Sequence, residues 1–209
     1  MYYGLSYGTA LAETVFPEIK ATSGGTSQWN FPGTYSASLP SGIEAGELLV
    51  LILMHPNASG EIATPAGWWP VRTDSRLSIF ARFATGSNPA PSFTRDDGFW
   101  AHVVYRIAGA AGVAATVAAA SGGYLPLPAL AAPWGSTKNL WIGAVGRLGG
   151  DAIGGTPANY ARDRVADFYW SWMIASSRKR AIATETGGAY SGDNDTYARV
   201  ARIAVRPAA

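Results

Sequence analysis

Residues 64–68 read Thr-Pro-Ala-Gly-Trp, and residues 156–160 read Thr-Pro-Ala-Asn-Tyr. The same spacing lays Glu47-Leu48-Leu49-Val50 on Asn139-Leu140-Trp141-Ile142, and residues 77–83 on residues 169–175. Residues 100–107 and 197–203 also match once a few residues of loop slack are allowed. A four-strand unit written twice is the simplest account, and self-similarity of this kind constrains architecture before any other signal. Two such units packed face to face make a sandwich of about eight core strands, with halves over about residues 39–110 and 124–207. Residues 1–38 add an N-terminal arm and first strands to the same domain. The repeat carries no chemistry of its own.

Composition narrows the class. A chain of 209 residues is ample to bury a core without staples. With Cys 0, a disulfide framework and thiolate metal sites are excluded. Gly 25, Pro 13 and 12% aromatic residues against 14% charged ones fit short strands joined by tight turns rather than helical bundles. The net charge of +2 is spread along the chain, and most of the 16 basic residues are arginine. No stretch approaches the roughly 18 unbroken apolar residues that would span a bilayer. The opening Met-Tyr-Tyr-Gly-Leu lacks the basic and apolar regions of a signal peptide. The expectation is a protein made in the bacterial cytoplasm without Sec export, with no membrane insertion.

Residues 47–55 form a nearly continuous apolar run ahead of Pro56, read as a strand buried on both faces. Residues 77–84 and 100–107 alternate as half-buried strands do. Residues 168–176, with Trp170 and Trp172, and 196–206, before Pro207, read as further strands. Residues 14–20 and 29–38 look like strands parted by a Ser23-Gly24-Gly25-Thr26 turn. The alanine-rich stretch 108–121 suits a helix by composition, but Gly109 and Gly112 each weaken that by about 1 kcal/mol. A loop or short strand between the halves is expected there.

Gly46-Glu47-Leu48-Leu49-Val50, Pro65-Ala66-Gly67-Trp68, residues 76–84 and residues 99–109 together resemble the jelly-roll or concanavalin-like β-sandwich domains of tailed-phage and prophage virion proteins. Ala201-Arg202-Ile203-Ala204-Val205-Arg206-Pro207 is similar to the close of those domains, so the resemblance covers roughly residues 40–207. It implies an all-β jelly-roll sandwich and a virion location. Proteins of this kind include head decoration and spike proteins, tail-fibre domains and some glycan-binding modules. The resemblance brings no catalytic residues and no cofactor with it.

The residues themselves offer little chemistry. Paired carboxylates for glycoside hydrolysis would have to come from Asp96-Asp97, Asp193 with Asp195, or lone Glu61, Glu185, Asp163 and Asp167. Adjacent acids beside glycine, as in Arg95-Asp96-Asp97-Gly98, serve turns more often than catalysis. The Asp193–Asp195 loop has oxygen ligands for a hard cation but lacks the remaining pattern of an EF-hand, so a hairpin turn is the simpler reading. His55 and His102 have no third ligand at metal spacing, and no Gly-x-Ser-x-Gly elbow is present. The glycine-rich stretches lack phosphate-binding motifs. Arg178-Lys179-Arg180 is read as a solvated strand end, with no nucleic-acid partner expected.

Aromatic residues are the stronger signal. Trp68 has Tyr160 as its repeat partner, which suits a core plug. Trp69 follows it directly, so on a strand it faces the other way. Trp69, Trp134 and Trp141 are candidate contacts for a glycan or a neighbouring subunit. Tyr2, Tyr3, Leu5 and Tyr7 make the first residues too apolar for a free tail and are expected to dock on a partner. The expected function is structural and non-enzymatic: a phage or phage-like virion protein, homo-oligomeric, with a trimer as the expected symmetry, contacting other capsid or tail proteins. A tail-fibre domain binding host surface glycan is the first alternative. A polysaccharide-active enzyme on the same sandwich is the second.

Overall fold

The computed structural model describes residues 15–29, 33–55, 62–95, 98–148, 153–168, 171–192 and 198–209. Every regular element among them is a strand. The first half holds β1 (Glu18–Trp29), β2 (Gly33–Ser36), β3 (Leu48–Met54), β4 (Trp69–Arg72), β5 (Leu77–Phe83), β6 (Ser92–Arg95) and β7 (Gly98–Ala108). The second holds β8 (Ala110–Ala120), β9 (Tyr124–Pro126), β10 (Leu130–Ala131), β11 (Asn139–Leu148), β12 (Ala161–Phe168), β13 (Ser171–Arg180), β14 (Thr184–Glu185), β15 (Ala189–Ser191) and β16 (Ala198–Pro207).

Each half builds its own five-stranded antiparallel sheet, in the orders β1-β7-β3-β5-β4 and β8-β16-β11-β13-β12. The two orders are the same path written twice. Pairing within each half is nested: β1 with β7, β2 with β6 and β3 with β5, then β8 with β16, β9 with β15, β10 with β14 and β11 with β13. The repeat is therefore larger than four strands, because β1 and β8 are equivalent members of their sheets rather than an arm and a linker. Even the irregularities recur. A bulge interrupts β4 between Pro70 and Arg72, and another interrupts β12 between Arg162 and Arg164.

The sheets pack face to face. In β3, the residues Leu48, Val50, Ile52 and Met54 point into this central core, where they meet Leu140, Ile142, Met173, Ala175, Ile203 and Val205 of the second half. The intervening Leu49, Leu51 and Leu53 point the other way and pack under the β2–β6 ribbon with Tyr35, Phe80, Phe93 and Trp100. The second half has a matching outer layer under its short ribbons, built on Leu125, Leu127, Trp141, Val145 and Tyr190. Both faces of β3 are covered, which is why its sequence is continuously apolar rather than alternating. β1 packs on β12, and its equivalent β8 packs on β4, as a two-fold relation between the halves requires.

Several readings of the sequence change here. Ser23-Gly24-Gly25-Thr26 is no turn; it runs straight through β1. A Cβ at Gly25 would come 3.1 Å from His102 Cε1, and one at Gly24 would come 3.0 Å from the His102 carbonyl oxygen. These glycines permit close approach, the other common use of glycine inside a strand. Residues 110–120 form a long strand, because half-buried alanines pair with β16 as readily as they would line a helix. Residues 77–83 match residues 173–179, not 169–175: Leu48 pairs with Phe83, whereas its mate Leu140 pairs with Lys179. The strands of the β12–β13 hairpin are longer than those of β4–β5, and the added residues displace the match from that point on.

Candidate interaction surface

The repeated Pro-Ala-(Gly/Asn)-aromatic segment is a turn used twice. Trp68 N donates to the Pro65 carbonyl at 3.1 Å, and Tyr160 N donates to the Pro157 carbonyl at 3.0 Å. Its third residue is left-handed in both copies: Gly67 at φ 76° and Asn159 at φ 65°. Glycine and asparagine tolerate that conformation best. The turn drops its aromatic ring into the outer core, where an arginine from the next strand covers it. Arg82 lies over Trp68 at 5.8 Å, and Arg178 lies over Tyr160 at 4.6 Å.

Behind that shared device the outer layers diverge. In the second half Arg178 and Arg202 converge on Glu185, which is fully buried, with Arg180 at 3.8 Å. Arg202 also donates to the Gly187 carbonyl. In the first half the space is filled by rings: Tyr35 stacks on Trp100 at 5.3 Å, and Phe93 lies 5.8 Å from Phe80.

Both histidines belong to the first half and both are buried. Ser38 N–H donates to His102 Nε2 at 3.0 Å, so Nε2 is the acceptor and Nδ1 carries the hydrogen that faces the Tyr35 hydroxyl, 2.5 Å away. The Ser38 hydroxyl lies 3.0 Å from the same Nε2. The trio has the residue types of a nucleophile and base, but a backbone N–H occupies the base's lone pair. Burial pushes His102 down to about 4, further from a useful general base. His55, hydrogen-bonded to Ser78 at 3.2 Å, is likewise pushed down to about 4 by burial. These contacts join residues more than 60 positions apart for His102, and no local sequence pattern announces them.

Asp163 occupies the bulge of β12. Tyr105 from the opposite sheet donates to one of its oxygens at 2.9 Å, and Ser177 donates to the other at 3.0 Å. Burial raises its pKa, against the pull of those two hydroxyls. It lines an open cavity of about 700 Å³ with Glu18, Leu140, Ala161, Ser177 and Lys179. The register gives this corner an equivalent in the first half, where Trp69 stands for Ala161, Val71 for Asp163 and Phe83 for Lys179. There Trp69 and Phe83 pack together at 5.7 Å and remain 36% and 39% exposed. Among the described residues no group of three or more histidine and acidic side chains is placed to hold a metal ion.

The free sheet edges differ more than the corners do. β4 is four residues long, with Pro70 and a bulge. β12 carries Arg162, Asp163, Arg164 and Asp167 and has its own bulge. β1 begins with the Glu18–Lys20 ion pair, and Arg164 donates to its Gly24 carbonyl at 3.4 Å. Short strands, prolines, charges and bulges all discourage pairing with another chain. β8 is 11 residues long and has neither proline nor charge, and its bulge falls at its very start. Among the described residues its second edge has no strand beside it.

The aromatic candidates separate accordingly. Trp69 is the exposed one, on β4 beside β8. Trp141 is fully buried in the outer core of the second half, which closes it to any ligand. A strand covered on both faces gives no alternation to reveal that. Trp134 is half-buried against the same core and donates from Nε1 to Asn139 Oδ1 at 2.7 Å, an internal role. Tyr2, Tyr3, Leu5 and Tyr7 lie outside the described residues, as do Glu61, Asp96, Asp97, Asp193 and Asp195. No protein-family model matches this chain, and neither the curated proteins nor the solved structures searched include a similar one.

Proposed function

We propose that this protein is a non-enzymatic structural subunit of a phage or phage-like particle, working through protein–protein contacts. The observation that carries this is the β8 edge: eleven uncharged residues with no strand along their second side among the described residues, flanked by the exposed Trp69–Phe83 pair. Unprotected edges beside exposed apolar side chains mark interaction sites in stable proteins. The buried histidines are spent on internal hydrogen bonds, which supports a structural rather than a catalytic reading. The nested pairing of each half supports the jelly-roll description suggested by the sequence resemblance. Gold-labelled antibody on particles from a producing culture tests the assignment. Label over the shell, at its vertices or on the tail is the expected result, and particles without label would refute it.

The Trp69–Phe83 pair also favours a second reading, a glycan platform on a tail fibre, since exposed rings can stack on sugars. Trp69→Ala should then abolish binding on a glycan array while leaving the oligomeric state unchanged. Under the structural reading it weakens association and leaves the array blank.

A further inference from the structure

We infer that β8 pairs with β8 of a second copy of this chain, joining two five-stranded sheets into one continuous sheet across a two-fold axis. This rests on the assembly reading above and names its partner and register. Three observations carry it.

The first is the edge itself. An edge strand offers a row of backbone donors and acceptors, and among the described residues β8 is the edge of either large sheet that has neither proline nor charge, its one bulge lying at Ala111 near its start. The second is the sequence of β8. It reads nearly the same in both directions about Ala115: Val113 and Val117, Ala111 and Ala119, and Ala110 and Ala120 are equidistant from it. In an antiparallel pair centred there, each valine meets the other valine of the partner copy, and small residues meet small residues throughout. β-branched pairs opposite one another are favourable in antiparallel sheets. With no charge on β8, a charged partner strand finds nothing to complement, while a second copy finds its own pattern.

The third is continuity of the core. Val113, Ala115 and Val117 pack against the central core from its margin, and Ala118 and Ala120 pack against the outer core of the second half. All are only partly buried. A two-fold axis perpendicular to the sheet keeps faces aligned, so a second copy would extend both cores rather than cap them. β4 and β5, which carry the exposed Trp69 and Phe83, both pack beside β8 and border the same junction.

Ala111 and Ala119 are exposed, and in this register each lies opposite the other residue's copy in the partner. Two variants test the pairing: Ala111→Lys with Ala119→Lys, and Ala111→Glu with Ala119→Glu. Each places like charges opposite one another twice, which disfavours pairing, whereas mixing the two places opposite charges together. By sedimentation velocity and native mass spectrometry the unmodified chain should dimerise. Each variant alone should dissociate at least about tenfold more readily, and an equimolar mixture should recover a heterodimer; circular dichroism checks that both variants remain folded. A dimer indifferent to both variants would overturn the β8 interface while leaving particle assembly through another surface intact. A monomeric unmodified chain would overturn it too. Particle labelling is a separate readout, so loss of label would strike the assembly reading independently.

Discussion

β1 and β8 hold the same place in their halves, each laid along the last strand of its sheet, yet they are built on opposite principles. β1 is polar, carries an ion pair, and has two glycines pressed against His102 and a carbonyl taken by Arg164. β8 is alanine and valine with one glycine and one threonine, and among the described residues no strand lies along its second edge. The outer layers divide the same way: rings and histidines in one half, a buried cluster of arginines around Glu185 in the other. Duplication supplies two copies of a fold, and differences at edges and corners then give the copies different work. On the pairing inferred above, the β1 edge is the closed one and the β8 edge is the one that joins.

The contrast in outer layers can be broken first at Glu185. Glu185→Ala leaves buried arginines without their anion and should cost about 3–5 kcal/mol in urea unfolding. Arg82→Ala, which removes the matching arginine from the aromatic half, should cost about 1 kcal/mol, because stacking over Trp68 and a long hydrogen bond to Thr85 are lost but no buried anion is left unpaired. Equal costs would show that the cluster holds nothing together.

The histidines give the next effect. Both are held neutral in the fold down to about pH 4, whereas the unfolded chain takes up those protons near 6.5. Their contribution is therefore complete above pH 6.5 and is lost as pH falls from 6.5 towards 4. The loss is at most about 3 kcal/mol for each. Denaturation midpoints at pH 7 and pH 4.5 should show it, and His102→Gln should roughly halve the difference. A midpoint unchanged over that range would contradict their neutral burial.

Smaller still is the glycine contrast. Gly25→Ala pushes a methyl towards the His102 ring and should cost about 1–3 kcal/mol. At Gly112 on β8 the nearest atom is 4.0 Å from the added Cβ, so Gly112→Ala should be neutral or gain about 0.5 kcal/mol. At the repeated turn, Gly67→Ala should cost about 1 kcal/mol, while Asn159→Gly should stay within about 0.5 kcal/mol of the parent. Thermal melts of these four variants rank them.

How much of this is legible in the sequence follows from what each segment must satisfy. The turn and β3 require particular residues, a left-handed third position and apolar side chains on both faces, so their two copies still resemble each other. β1 and β8 require only small or flexible residues along a partner strand. Glu-Ile-Lys-Ala-Thr-Ser-Gly-Gly and Ala-Ala-Gly-Val-Ala-Ala-Thr-Val meet that need with no shared pattern, so the fifth strand of each unit stays hidden. Trp69 is readable because Trp68 beside it must be buried. Trp141 is not, since neither face of β11 is exposed where it sits. Asp163 draws its partners from β7 and β13, and only the fold brings Tyr105 and Ser177 to it.

On the pairing inferred above, β8 is a shared edge and β1 is a closed one. Amide hydrogen exchange of the whole chain, followed by mass spectrometry across a hundredfold range of protein concentration, tests this directly. Protection over residues 110–120 should rise with concentration while protection over residues 18–29 stays constant. Exchange in both strands that ignores concentration would contradict the claim.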